Sequence, residues 1–155
     1  MTPSQPVSRE ASFTLDMSLH RAMHCFTAEG ERAWAPGWDP QFLSGSGEVG
    51  SVFRTVNEHA ATIWIVVDFD AAAGVARYAR VADGSHAGTI EVRGKALTAA
   101  CTEITVRYTL TPTSPAGEQL VDELLSPQGY AAFIGGWKAL IDRAPPCEDG
   151  LDDGR

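Results

Sequence analysis

The chain has 155 residues, 44% apolar and 21% charged, the balance of a soluble globular protein whose length suits one domain. Its 20 acids against 12 bases leave a formal charge of −8, which excludes nucleic acid as a partner because phosphates demand a basic face. The N-terminus MTPSQPVSRE has no signal-peptide core, and the run IWIVV (63–67) is far too short to span a bilayer, so no membrane insertion is expected. Cys25, Cys101 and Cys147 form no CxxC pair, and an odd number of cysteines suits reduced thiols in a cytoplasmic protein.

Residues 1–10 are expected to form a flexible N-terminus. ASFTLDM (11–17) then sets Phe13, Leu15 and Met17 against Ser12, Thr14 and Asp16, the alternation of a half-buried strand. Ser18 can cap a short helix, LHRAMHCF, with Leu19, Met23 and Phe26 at helical spacing. GERAWAPGWDP (30–40) follows, a helical turn broken at Pro36, with Trp34 and Trp38 four residues apart. Each indole N–H needs a partner if it is buried, so the two rings either plug a gap or line something. GSGEVG (45–50) reads as loop. VGSVFRTV, ATIWIVVDF, GVARYARV, SHAGTIEVR and TEITVRYTLTP read as strands, the last with Ile104, Val106, Tyr108 and Leu110 on one face.

After Pro112 and Pro115 the period changes. GEQLVDELL predicts a short helix, and Ser126-Pro127 an N-cap and first residue for a longer one. There Tyr130, Phe133, Ile134, Trp137, Leu140 and Ile141 share one apolar face. Gly135 and Gly136 weaken this helix by about 1 kcal/mol each. It should end before Pro145-Pro146, leaving 144–155 as an acidic mobile tail and 11–143 as the single domain. Strands joined by short turns without crossover helices make an antiparallel sheet of class α+β. One long helix over a curved sheet leaves a gap, and aromatic residues around a gap make a pocket.

This order of elements, with GERAWAPGWDP after the first helix and RYARV, SHAGTIEVR and TEITVRYTLTP before the last, resembles the SRPBCC superfamily over residues 11–143. These are START-like or Bet v 1-like helix-grip proteins, and the GERAWAPGWDP segment is similar to one in bacterial members. The resemblance implies a seven-stranded antiparallel curved sheet around a long C-terminal helix, enclosing a hydrophobic cavity. It implies no single chemistry, because members include carriers, polyketide cyclases and chaperone activators. It also implies that the stretch after the first helix closes one end of the cavity, which would make Trp34 and Trp38 a lid.

Other motifs carry less. GSGEVG matches G-x-G-x-x-G, yet it opens a strand rather than a helix, so no nucleotide cofactor is expected. His20 and His24 have metal-ligand spacing, but HRAMH lacks the glutamate of H-E-x-x-H, and no metal is expected. His59 and His86 fall in turns and should be solvated. No G-x-S-x-G elbow supports a nucleophilic serine, and Cys25 and Cys101 lie in apolar-periodic segments where inert buried thiols are the rule. Tyr78 with Arg80, and Glu91 with Arg93, each share a strand face, either as a surface salt-bridge ladder or as polar groups inside the cavity. No catalytic residue is assigned; Glu91 and Asp68 are the first suspects for an acid.

The sequence therefore predicts a carrier or sensor for a small apolar or amphipathic ligand, bound by Trp38, Trp64 (or its strand neighbours), Tyr78, Tyr108, Phe133 and Trp137. A cyclase- or dehydratase-like enzyme using the same cavity is the alternative, with a chaperone-activator-like interaction domain as a third class. A homodimer is left open.

Overall fold

The computed structural model describes residues 3–57 and 60–144. Its strands are β1 (Val7–Leu15), β2 (Gln41–Ser44), β3 (Val52–Val56), β4 (Ala61–Asp70), β5 (Val75–Ala82), β6 (His86–Thr98) and β7 (Cys101–Pro112). The helices are α1 (Leu19–His24), α2 (Pro115–Leu124) and α3 (Pro127–Arg143), with a 3-10 turn at Gly30–Ala33. The strands form one antiparallel sheet in the order β1-β7-β6-β5-β4-β3-β2. β2 to β7 follow one another as a meander, and β1 closes the row against β7, pairing Phe13 with Ile104.

Alternation decides which side chains enter the core. Phe53, Trp64, Val66, Tyr78, Ile90, Val92, Ile104, Val106, Tyr108 and Leu110 are buried on the inner face, packed with Met23, Phe26, Val121, Leu125 and Tyr130. Both C-terminal helices start as their caps dictate: Ser114 Oγ accepts from Gly117 N at 2.9 Å, and Ser126 Oγ from Gly129 N at 3.0 Å. Each such cap is worth about 1 kcal/mol. α3 is held across the sheet by the Tyr130 hydroxyl, which donates to Val106 O at 2.7 Å, and by Lys138 Nζ, which donates to Thr14 O at 2.8 Å.

The face of α3 that reads as one stripe divides in two. Tyr130, Ile134 and Ile141 are buried in the core, while Phe133, Trp137 and Leu140 are only partly buried. The second set borders the open space beside the helix.

Several boundaries differ from the sequence expectation. β1 begins at Val7, so residues 7–10 are strand: Ser8 faces Thr109 with their hydroxyls 3.0 Å apart, and Arg9 Nε donates to Leu125 O. Residues 41–44, given no element from the sequence, form a strand paired with β3 across a bulge between Phe42 and Ser44. α2 starts at Pro115, two residues before GEQLVDELL. The first two depend on a partner strand, which local composition does not record. His59, Cys147, Pro145-Pro146 and the rest of the expected tail lie outside the described residues. Among the described residues, no helix is long and apolar enough to cross a membrane.

Candidate functional site

Between the sheet, the second face of α3 and the segment 30–40 lies a pocket of about 350 Å³. The segment is shaped locally. Gly30 packs so close to the His24 carbonyl that a Cβ there would collide with it, and Gly37, at φ 74°, makes the bend after Pro36. Arg32 staples the loop: Nε lies 2.7 Å from Glu29 Oε1, Nη1 2.8 Å from Asp39 Oδ1, and Nη2 donates to Pro40 O. Both indoles find carbonyl partners, Trp34 Nε1 donating to Cys25 O and Trp38 Nε1 to Ala28 O, each at 2.8 Å. Trp34 then packs on Trp137 (5.4 Å between ring centroids) and Trp38 on Trp64 (5.4 Å). The two tryptophans plug the helix–sheet gap with one side and wall the pocket with the other.

All six residues expected to contact a ligand border this pocket: Trp38, Trp64, Tyr78, Tyr108, Phe133 and Trp137. Tyr108 links the walls, with edge contacts to Phe133 (5.6 Å) and Trp137 (6.3 Å). On β4, Thr62, Trp64 and Val66 turn inward, whereas Ile65 and Val67 are exposed on the outer face.

The polar groups sort by strand parity. Tyr78 and Arg80 face the pocket. Glu91 and Arg93 lie on the convex side, where Glu91 Oε2 accepts from Arg77 Nε at 2.8 Å and from Arg93 Nη2 at 3.0 Å. Asp68 pairs in register with Arg77 and so shares that outer face. The two carboxylates first suspected as acids therefore point away from the pocket.

The carboxyl in the pocket wall is Glu31, on the 3-10 turn, and desolvation pushes it up to about 8. Sequence reasoning did not single it out. The usable signal was its spacing, three residues before Trp34 within the helical turn that precedes Pro36. Burial likewise raises the Tyr78 and Tyr108 phenols. The Tyr78 hydroxyl donates to Phe26 O at 2.6 Å. Arg80 Cζ sits 4.7 Å from the centroid of Trp64, next to the Tyr108 hydroxyl, and its Nε is buried without an acceptor among the described residues.

Two motifs resolve as loop and surface features. In GSGEVG, Glu48 Oε1 accepts from Ser46 N at 2.9 Å and Ser51 Oγ at 3.1 Å, and these bonds, led by the backbone one, lower its carboxyl to about 2. The glycine-rich loop binds its own carboxylate and leads into β3. His24 Nδ1 is 2.8 Å from His20 O, with the two rings 4.5 Å apart. No cluster of three metal-ligating side chains occurs among the described residues. His86 is not solvated as expected. It is buried, with Nδ1 2.9 Å from Ser85 Oγ, and desolvation followed by the Arg80 charge lowers it to about 4.

No protein-family profile matches the chain, and no curated protein matches it. Solved structures do. The chain is similar to truncated norcoclaurine synthase from Thalictrum flavum, with 11% identity, TM-score 0.68, and coverage of 92% of this chain and 98% of that one. It is similar to Ara h 8.0201 at 13% identity and TM-score 0.62, covering 90% of this chain and 100% of that one. A protein from Arthrobacter aurescens matches at 15% identity and TM-score 0.62, over 96% and 93% of the two chains. The seven-stranded curved sheet gripping a long C-terminal helix is thus the Bet v 1-like helix-grip fold that the SRPBCC resemblance implies.

Proposed function

We propose that the protein binds a small amphipathic molecule in the pocket beside α3, as a cytoplasmic carrier or sensor. The observation that carries this reading is the wall itself: Phe133, Trp137 and Leu140, at i, i+4 and i+7, pack against the core with part of their surface and leave the rest to the pocket. All four tryptophans of the chain border that space, which makes their emission a direct reporter. N-phenyl-1-naphthylamine, an uncharged apolar probe, should bind saturably, brightening as tryptophan emission is quenched by energy transfer. Absence of saturable binding by both readouts refutes the reading.

Glu31 favours a second reading, an enzyme of the cyclase or dehydratase kind. A carboxyl at about 8 holds its proton at neutral pH and can donate it to a bound carbonyl or hydroxyl, then recover it. The phenols of Tyr78 and Tyr108, kept protonated by burial, would orient such a substrate. Norcoclaurine synthase, whose fold is similar, has been solved in complex with dopamine and hydroxybenzaldehyde. The protonation state of Glu31 is what this reading requires.

A further inference from the structure

Arg80 is the cation in the pocket wall, and no charged group among the described residues neutralises it. The inward parity of β5 places it opposite Trp64 on β4 in the sheet register. Its guanidinium lies over the Trp64 ring, and Nε–H is buried with no acceptor among the described residues. The sheet's carboxylate ladder is on the other face, where Glu91 and Glu10 serve Arg77, Arg93 and Arg107. No carboxylate pairs with Arg80 among the described residues. The groups it does meet cannot supply a negative charge: the Tyr108 phenol is kept protonated by burial, and His86 is neutral or positive. Glu31, in the same wall, carries its proton at neutral pH. The pocket is therefore a monocationic, aromatic-walled site.

A buried, unpaired charge costs stability, and a methionine or glutamine stem would cover Trp64 without that cost. Arginine is the side chain whose planar fork suits a carboxylate, and stacking on an indole fixes the plane of that fork. We propose that Arg80 anchors the anionic head of the ligand, so that the pocket takes an aromatic or alicyclic molecule bearing one carboxylate, its rings against Trp38, Trp64 and Trp137. A single guanidinium matches a monoanion; a phosphate dianion would need a second cation in the wall. This assignment rests on the ligand-binding reading above and deepens it.

The test is displacement of N-phenyl-1-naphthylamine by 1-naphthylacetate and by its neutral isostere 1-naphthylacetamide, on wild type, Arg80→Met and Arg80→Lys. In the wild type the acetate should compete about tenfold better than the amide, the worth of one charge-assisted hydrogen bond. Arg80→Met should lose the preference, read as the ratio of acetate to amide competition on the same variant, because its apolar stem still covers Trp64 but offers no charge. Arg80→Lys should keep part of the preference. Without ligand, Arg80→Met should melt above the wild type, and 1-naphthylacetate should raise the Tm of the wild type alone. If the probe binds but acetate and amide compete equally in the wild type, the anchor is wrong while the pocket reading stands. If the probe does not bind the wild type at all, both fall. The wild-type comparison decides even if Arg80→Met does not fold.

Discussion

Glu31 gives the pocket a pH signature that can be worked out in advance. Its carboxyl moves from 4.5 in an open chain to about 8 in the fold because burial disfavours the charged form. Between these values the folded protein holds a proton that the unfolded chain has lost. Unfolding then releases a proton, and stability falls as pH rises. At about 1.36 kcal/mol per pKa unit the whole displacement corresponds to about 5 kcal/mol, an upper bound that water in the pocket reduces. His86 masks the lower part of the window. It sits at about 4 in the fold against 6.5 outside, so below pH 6.5 unfolding takes up a proton there and cancels the one Glu31 releases. The visible fall therefore lies between about pH 6.5 and 8, where the Glu31 slope alone is worth about 2 kcal/mol. The assay is urea unfolding of wild type and Glu31→Gln at several pH values across this window. Wild type should lose about 1–2 kcal/mol relative to the variant, whose own curve should be flat, with m-values unchanged. Parallel curves for the two proteins would show that Glu31 ionises like an exposed acid, and the proton-transfer reading would go with it.

Trp137 touches Trp34, Phe133, Tyr108 and Phe26 but leaves part of its surface to the pocket. Trp137→Ala should therefore cost about 1–2 kcal/mol by urea unfolding, below the roughly 3–5 kcal/mol of a fully packed tryptophan, while shifting naphthylamine affinity strongly. A loss at the upper figure with unchanged affinity would mean that the helix seals a solid core. A Cβ added at Gly135 meets nothing within 4 Å, so Gly135→Ala should raise stability by about 0.5–1 kcal/mol on helix propensity and leave probe binding alone. Gly30→Ala should do the opposite, costing more than about 2 kcal/mol because the new Cβ collides with the His24 backbone; a wild-type midpoint would show that the turn can open.

What the sequence settled by itself is what local periodicity controls. The alternation of Ile104, Val106, Tyr108 and Leu110 specifies a strand with one wet face, and the spacing from Tyr130 to Ile141 specifies an apolar helix face. Ser126-Pro127 starts that helix with no help from the rest of the molecule, and a G-x-G-x-x-G that runs into a strand offers no helix dipole to a phosphate. The pairing of Tyr78 with Arg80 on one face, and of Glu91 with Arg93 on one face, was legible for the same reason, because parity along a strand is a local property.

Which of those faces would be concave was not legible. The curvature of the sheet and the seat of α3 send Tyr78 and Arg80 inward and leave Glu91 among the outer arginines, and both depend on contacts between residues far apart in the chain. The strand at 41–44 and the early start of β1 have the same origin, since their order comes from the strands they pair with. Glu31 is the sharpest case. Its neighbours in the chain are those of a solvated turn, and only the walls contributed by β5, β7 and α3 remove the water that would hold its carboxylate charged. Desolvation is a property of the volume around a group, and that volume exists only once the chain has closed on itself.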